Sequence, residues 1–112
     1  MRQKEIEKLQ KRIVQIKKRL SELGDIRPGS LSKQYNVCGN PTCRCKHPET
    51  PKKHGPYYQI SYTRKGRSTS EFVKSEKVTD VKQQLKNYQT FKKLTDEWVE
   101  LSLTIAKLKK LL

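Results

Sequence analysis

The sequence predicts an α+β protein with an N-terminal helix, a loop-rich segment, a β-hairpin and a long C-terminal helix. Apolar residues recur at helical spacing in both terminal parts of the chain. Between them, one segment concentrates cysteine, histidine and proline, and another places β-branched and aromatic residues around a Lys-Gly pair. We expect residues 1–112 to form a single domain with segments 1–24, 29–56, 57–74 and 75–112.

The first segment carries a heptad pattern of apolar residues. Steps of three and four separate Ile6, Leu9, Ile13, Ile16, Leu20 and Leu23. This spacing predicts a helix with an apolar seam of the kind found in coiled coils. Gly24 suits the position after the last helical residue, and Pro28 keeps the helix from resuming.

The residues from 57 to 74 predict a β-hairpin that turns at Lys65-Gly66. A two-residue turn would pair Tyr62 with Thr69. A three-residue turn with a bulge would set Phe72 against Ile60 instead. The sequence leaves both registers open.

The last segment predicts one long helix, because no Gly or Pro occurs from Ser75 onward and Ser75 suits an N-cap. Its apolar positions are Val78, Val81, Leu85, Tyr88, Phe91, Leu94, Trp98, Leu101, Ile105, Leu108 and Leu112. An unbroken helix of this length would measure about 55 Å, so the N-terminal helix covers only part of it. We expect the helices to pair in a coiled-coil-like bundle and to form a homodimer along an apolar stripe near Trp98, with a monomeric antiparallel hairpin as the alternative.

Three thiols and an imidazole lie within 17 residues of the loop-rich segment, in the pattern Cys-x4-Cys-x-Cys-x8-His. Thiolates and neutral imidazole are the ligands of structural zinc sites. We therefore predict that Cys38, Cys43, Cys45 and His54 bind one zinc ion. His47 is the competing fourth ligand, and reactive or disulfide-forming thiols or an iron–sulfur centre are the alternatives to zinc.

A catalytic zinc is not expected, because such a site keeps an open position and needs a general base nearby. The only acid in the segment is Glu49. The chain also contains no paired carboxylates, Ser-His pair or Gly-rich phosphate loop. The sequence therefore predicts that the protein is not an enzyme.

Three motifs in this region carry a resemblance to a known family. They are Gly-Ser-Leu-Ser at residues 29–32, Cys-Gly-Asn-Pro-Thr-Cys-Arg-Cys at residues 38–45, and His-Gly-Pro-Tyr-Tyr at residues 54–58. With these motifs the chain resembles an uncharacterised prokaryotic domain family of small Cys-rich proteins, from about residue 29 to 108. The resemblance implies that the cysteines and His54 form one site, in a protein of prokaryotic, archaeal or phage origin and a mobile-element setting. It implies no activity.

The charge of the chain points to a polyanionic partner. Twenty-six Lys and Arg against 11 Asp and Glu give a formal net charge of +15, and the excess is spread over all four segments. A basic domain of this kind is the electrostatic signature of nucleic-acid binding. The candidate phosphate contacts are Arg64, Lys65 and Arg67 at the hairpin tip and Arg44, Lys46, Lys52 and Lys53 in the loop.

Two ways of binding nucleic acid are open. The hairpin suits the major groove of DNA, which admits a two-stranded ribbon. Tyr57, Tyr58 and Tyr62 could instead stack on the bases of a single strand, although we expect at least one face of these residues to pack on the long helix.

We therefore expect a zinc-stabilised nucleic-acid-binding protein, with DNA favoured over RNA, that acts as an accessory or regulatory factor of a prokaryote, phage or mobile element. The alternative is a coiled-coil adaptor or inhibitor that binds another protein. The charged N-terminus and the clustered thiols favour a cytoplasmic setting, and no apolar run approaches the length needed to cross a membrane.

Overall fold

The computed structural model of the protein describes residues 2–36, 39–48 and 52–110. The main elements in chain order are α1 (Arg2–Glu22), β1 (Ser30–Asn36), β2 (His54–Arg64), β3 (Arg67–Val73) and α2 (Val78–Leu108). Short 3₁₀ turns occupy Arg44–Lys46 and Ser75–Lys77. The α+β class and the N-terminal and long C-terminal helices are confirmed.

The chain forms two compact units. One consists of Met1–Arg27 and Lys86–Leu112, and therefore contains α1 and the greater part of α2. The other is Pro28–Leu85 and contains the sheet, the cysteine-bearing loop and the first turns of α2. That the whole chain acts as a single domain stays a prediction.

In the first unit, α1 and α2 run antiparallel. Arg12 pairs with Glu97, while Asn87 donates a 2.9 Å hydrogen bond to the carbonyl of Asp25 just after α1. Arg12, which precedes Asp25, thus contacts the later of the two α2 residues, as expected for antiparallel helices. The predicted seam lies inside, since Ile16 is 0% exposed, whereas Val14 off the seam is 64% exposed. Neither helix has, among the described residues, an apolar stretch that could cross a membrane.

The Arg12–Glu97 ion pair gives this unit a predictable pH response. Arg12 donates to the Glu97 carboxylate from Nε at 2.6 Å and from Nη2 at 2.8 Å, and these bonds hold the pKa of Glu97 below its usual range. The pair therefore stabilises the fold above the unfolded-state pKa of glutamate, and this contribution is lost as the pH falls through the folded-state pKa.

We expect Glu97→Gln to lower the Tm slightly at neutral pH, because the pair is exposed and solvent screens it. The difference from the unmodified protein should vanish in acid. Thermal unfolding across this pH range measures it, with Glu100→Gln as the control for the loss of one negative charge. A difference that grows on acidification would contradict the assignment.

The sheet of the second unit has three antiparallel strands in the order β1-β2-β3. The segment from 29 to 56, which the sequence predicts as loop-rich, therefore contains a strand, and β2 begins at His54 rather than at residue 57. The strand β1 is an edge strand in which Leu31 alone is half-buried. Its sequence has no apolar alternation. Backbone pairing with β2 therefore does most to fix its position.

The hairpin between β2 and β3 has the two-residue turn. Tyr62 pairs with Thr69 and Arg64 pairs with Arg67 across it. Lys65 and Gly66 both have positive φ, 52° and 78°, which is the conformation of a type I′ turn. This turn sets every later pair of the two strands and excludes the bulged alternative.

The two faces of the sheet differ sharply. One carries the buried Ile60, 1% exposed, with the half-buried Tyr58 and Tyr62. Val78 and Val81 at the start of α2 are also buried, and together with Ile60 and Cys45 they supply the small apolar core of this unit. The opposite face, called the outer face below, consists by strand alternation of Ser30, Ser32, Gln34, Tyr57, Gln59, Ser61, Thr63, Ser68, Ser70 and Phe72.

The start of α2 differs from the sequence prediction. Ser75 is not its N-cap, since Ser75–Lys77 form a 3₁₀ turn and α2 begins at Val78. The Lys77 N–H donates to the carbonyl of Lys74 at 2.8 Å, which is the tighter bonding common at helix ends. From Val78 the helix continues without a break to Leu108.

Candidate metal centre

The loop between β1 and β2 begins its described part with a turn that presents Cys43. The Asn40 side-chain oxygen accepts hydrogen bonds from the N–H and hydroxyl of Thr42, at 3.0 and 2.8 Å. The Cys43 N–H donates to the carbonyl of Asn40 at 3.2 Å. Asn followed by Pro41 is a favoured start for such a turn, because Asn bonds its own backbone and proline presets its φ.

A 3₁₀ turn at Arg44–Lys46 then places Cys45. The Lys46 N–H bonds back to the carbonyl of Cys43 at 3.0 Å. The carbonyl of Arg44 accepts from the N–H of Lys52 at 2.9 Å, which brings the two ends of the loop together just before His54. Local backbone bonds therefore hold both sides of the site.

Three potential ligand atoms converge here. The Sγ atoms of Cys43 and Cys45 and a ring nitrogen of His54 all lie within 4.8 Å of one another. Cys43 Sγ and His54 Nε2 are 3.1 Å apart and hydrogen-bonded. Cys45 is 2% exposed, and the other two residues are half-buried.

The spacing of these atoms fits a bound metal ion. In a tetrahedral site with bonds of about 2.0–2.3 Å, neighbouring ligand atoms are about 3.3–3.8 Å apart. The observed distances, all within 4.8 Å, differ from that geometry by about an ångström or less. The arrangement of two thiols and one imidazole can therefore hold a metal ion.

The strand β2 anchors the histidine through a β-bulge. Gln34 pairs with Tyr57 and Asn36 with His54, so Gly55 and Pro56 together oppose the single residue Tyr35. The bulge accommodates Pro56, which cannot donate to a sheet ladder. Gly55 has a φ of +125°, and a Cβ there would lie 2.8 Å from the carbonyl oxygen of Gln34. Only glycine fits beside His54 in this register.

We expect Gly55→Ala to weaken metal binding, because the added methyl group must displace β1 or the backbone next to His54. The matched control is Gly39→Ala in the same loop, where an added Cβ meets nothing within 4 Å. Competition titration with a chromophoric chelator measures both variants. We expect about a tenfold or greater loss of affinity for the first, the size of effect seen when the supports of ligands are removed, and little change for the second. Equal affinities would show that the bulge does not position His54.

The structure gathers three of the four predicted ligands and separates the histidines. His54 is in the cluster, whereas His47 is exposed and, among the described residues, is not part of it. Cys38 lies outside the described residues, so its role as a ligand stays a prediction.

The predicted phosphate contacts fall into two groups at opposite ends of β2. Arg64, Lys65 and Arg67 surround the β2–β3 turn, while Arg44, Lys46, Lys52 and Lys53 lie in the loop that precedes His54. All seven side chains are exposed. The eleven residues of β2 span about 33 Å between the groups, so the cysteine-bearing loop is not next to the hairpin tip.

Sequence reasoning named Tyr57 as a base-stacking candidate but missed Phe72, which lies on the same face. Phe72 on this face is 74% exposed and Tyr57 is 41% exposed. The sequence does hold a signal for this face, because a hairpin with a two-residue turn has Tyr57 and Phe72 on the same side. The signal could not be used because the register was open.

Comparison with known proteins places the chain in a family. No curated protein and no solved structure matches it. A family model described as a domain of unknown function, DUF6788, matches residues 6–83. This match starts earlier and ends earlier than the resemblance over residues 29–108, and it takes in most of α1, the sheet and the cysteine loop. Because the match covers more than half of the sequence, the chain belongs to the DUF6788 family.

Proposed function

We propose that the protein is a zinc-stabilised nucleic-acid-binding module. The zinc ion is bound by Cys43, Cys45 and His54, with Cys38 as the fourth ligand. The observation that carries the metal part of the proposal is the convergence of the three ligand atoms within 4.8 Å. Zinc favours this set of soft thiolates and an imidazole, and a closed four-ligand site is structural rather than catalytic.

Two further features support zinc over the alternatives. A nucleophilic Cys-His pair needs no second thiol, yet the buried Cys45 lies within 4.8 Å of both partners. The strand β1 ends at Asn36, which pairs with His54, and Cys38 follows two residues later. Two residues of chain extend up to about 7 Å, and this short separation in sequence is the reason why we propose Cys38 as the fourth ligand.

The exposed basic surface supports the nucleic-acid part of the proposal. The second unit, Pro28–Leu85, contains eleven Lys and Arg and four Asp and Glu. Among the described residues of the whole chain, Arg12 is the one Lys or Arg side chain with a carboxylate within salt-bridge distance. The remaining Lys and Arg side chains are available to phosphates. Contacts between basic side chains and phosphates account for most of the affinity of non-specific nucleic-acid binding.

The width of the sheet argues against the DNA major groove as the main binding site. The groove is about 12 Å wide and admits a two-stranded ribbon. Here β1 pairs with β2 as far as Ser30 and Ser61, so only the tip from Tyr62 to Thr69 is two-stranded. We therefore assign the tip residues Arg64, Lys65 and Arg67 to phosphate contacts rather than to base readout.

The proposal is tested by measuring the binding of fluorescent oligonucleotides, single-stranded and duplex, over a range of salt concentrations. We expect log K to fall linearly with log salt, with a slope of about −0.7 to −0.9 for each phosphate contact. Binding that does not change with salt, or no binding at low salt, would contradict the proposed function.

A second candidate function is protein binding through the helices, either to another copy or to a different chain. An apolar groove on α2 is lined by Thr95, Trp98, Val99, Ser102 and Leu103. Val99 and Leu103 are 56% and 48% exposed, which is high for apolar residues on a paired helix. This groove coincides with the stripe near Trp98 for which the sequence predicts a homodimer. Recovery of a stoichiometric protein partner with no nucleic acid would favour this function.

A further inference from the structure

We propose that the outer face of the sheet binds an unpaired nucleic-acid strand, with Phe72 and Tyr57 stacking on its bases. The inference rests on the proposed nucleic-acid function and specifies its substrate as single-stranded. It also names a surface distinct from the basic tip, so the two can be tested separately.

The exposed aromatic rings are the first observation. Phe72 is 74% exposed, the highest value among the large apolar side chains found exposed, although most phenylalanines lie inside. Phe72 of β3 pairs with Gln59 of β2. Tyr57, two residues before Gln59, is therefore the diagonal neighbour of Phe72. Diagonal neighbours have Cα atoms about 7–8 Å apart, which lets consecutive bases of one strand reach both rings.

The chemistry beside the rings is the second observation. Hydroxyls are paired across the strands, Ser61 with Ser70 at 3.0 Å and Thr63 with Ser68 at 3.1 Å. They border a shallow groove of about 320 Å³, and each hydroxyl retains capacity to bond a base edge or a phosphate. This polar surface beside the two rings resembles the combination with which other proteins hold unstacked bases.

The charge distribution is the third observation and identifies the occupant. Among the described residues of the sheet, Glu71 is the one acidic residue, and strand alternation puts it on the face opposite Phe72. The outer face is therefore free of carboxylates. It lies between the basic turn at Lys65 and the basic loop at Lys52, so a strand crossing it meets positive charge at both ends.

A duplex does not fit these features. The bases of a duplex are stacked on one another and expose no ring face to Phe72, and a three-stranded face is too wide for a groove that admits a two-stranded ribbon. A second copy of the chain would bring the same basic ends together, which opposes self-association at this face. An unpaired strand satisfies the rings, the hydroxyls and the charge at once.

The test compares Phe72→Ala with the unmodified protein, using fluorescent oligothymidine and a duplex of equal charge as probes. Removal of one stacking ring is expected to weaken oligothymidine binding about tenfold and to leave duplex binding unchanged. The slope of log K against log salt should not change, because no charge is removed. Phe72→Tyr should bind oligothymidine like the unmodified protein, because it keeps the ring.

Tyr35→Ala is the matched control, because Tyr35 is a 51% exposed aromatic residue of β1 that lies outside the outer face. It should bind both probes like the unmodified protein.

If Phe72→Ala binds oligothymidine normally, or loses duplex binding equally, the stacking inference is wrong while the proposed function stands. If the unmodified protein binds neither probe at low salt, the proposed function itself is wrong. If Phe72→Ala instead converts a dimer to a monomer in native mass spectrometry, the face is a protein interface and the inference is overturned.

Discussion

Replacing Cys43 with serine is expected to release the metal ion and to unfold the second unit. Structural zinc sites in small domains supply apparent binding free energies of about 10–16 kcal/mol. Domains are stable by only about 5–15 kcal/mol in total. Loss of the ion therefore removes more free energy than a unit of this size has in reserve.

The small core is the reason why we expect the unit to depend on the ion. Among its described residues, the buried apolar side chains are Cys45, Ile60, Val78 and Val81. Such a core cannot offset the conformational entropy of the loop and the three strands. The helices of the first unit have their own buried seam, including Ile16, so they should keep their helical content.

Hydrogen exchange of the Ile60 amide measures this prediction, because Ile60 lies in the centre of the sheet. Protection should be lost in Cys43→Ser and retained in His47→Ala, which removes the exposed histidine that is outside the cluster. If Cys43→Ser keeps full protection at Ile60, the metal site is not what stabilises the unit.

Replacing Arg64, Lys65 and Arg67 together with alanine is expected to produce the largest loss of nucleic-acid affinity. Each phosphate contact contributes about 0.7 to 0.9 to the slope of log K against log salt. Loss of three contacts therefore reduces the magnitude of the slope by about 2 to 3. If the two proteins bind equally at 1 M salt, the variant binds about 100-fold or more weakly at 0.1 M. Fluorescence anisotropy over a salt series measures both quantities.

The control removes the same charge from another place. Lys4, Lys11 and Lys18 are exposed on α1 and have no carboxylate partner among the described residues. Their replacement with alanine lowers the overall positive charge equally but removes no proposed phosphate contact. Equal effects of the two triple variants would show that net charge, rather than the hairpin tip, governs binding.

The helices and the hairpin were predictable because their apolar patterns are local. The seam from Ile6 to Leu23 has one period along its whole length, and the Lys65-Gly66 pair marks a turn whose flanking strands alternate. The strand β1 was not predictable in the same way. Its sequence offers only Leu31 to the core, and its place depends on pairing with residues 18 to 31 positions away.

The candidate metal site was predictable from residue type and spacing alone, because few other reasons exist for three thiols in so polar a segment. The choice of His54 over His47 depended on where β2 begins. The exposed position of Phe72 depended on the register of the hairpin, which the turn conformation decides and composition does not.

The central claim is that one metal ion held by the cysteine loop stabilises the second unit. Native mass spectrometry of protein purified without added metal or chelator tests it most directly, combined with hydrogen exchange on the same sample. We predict one zinc ion per chain and a protected Ile60 amide, with both lost together when zinc is removed by a chelator. A metal-free chain with the same protection at Ile60 would contradict the account.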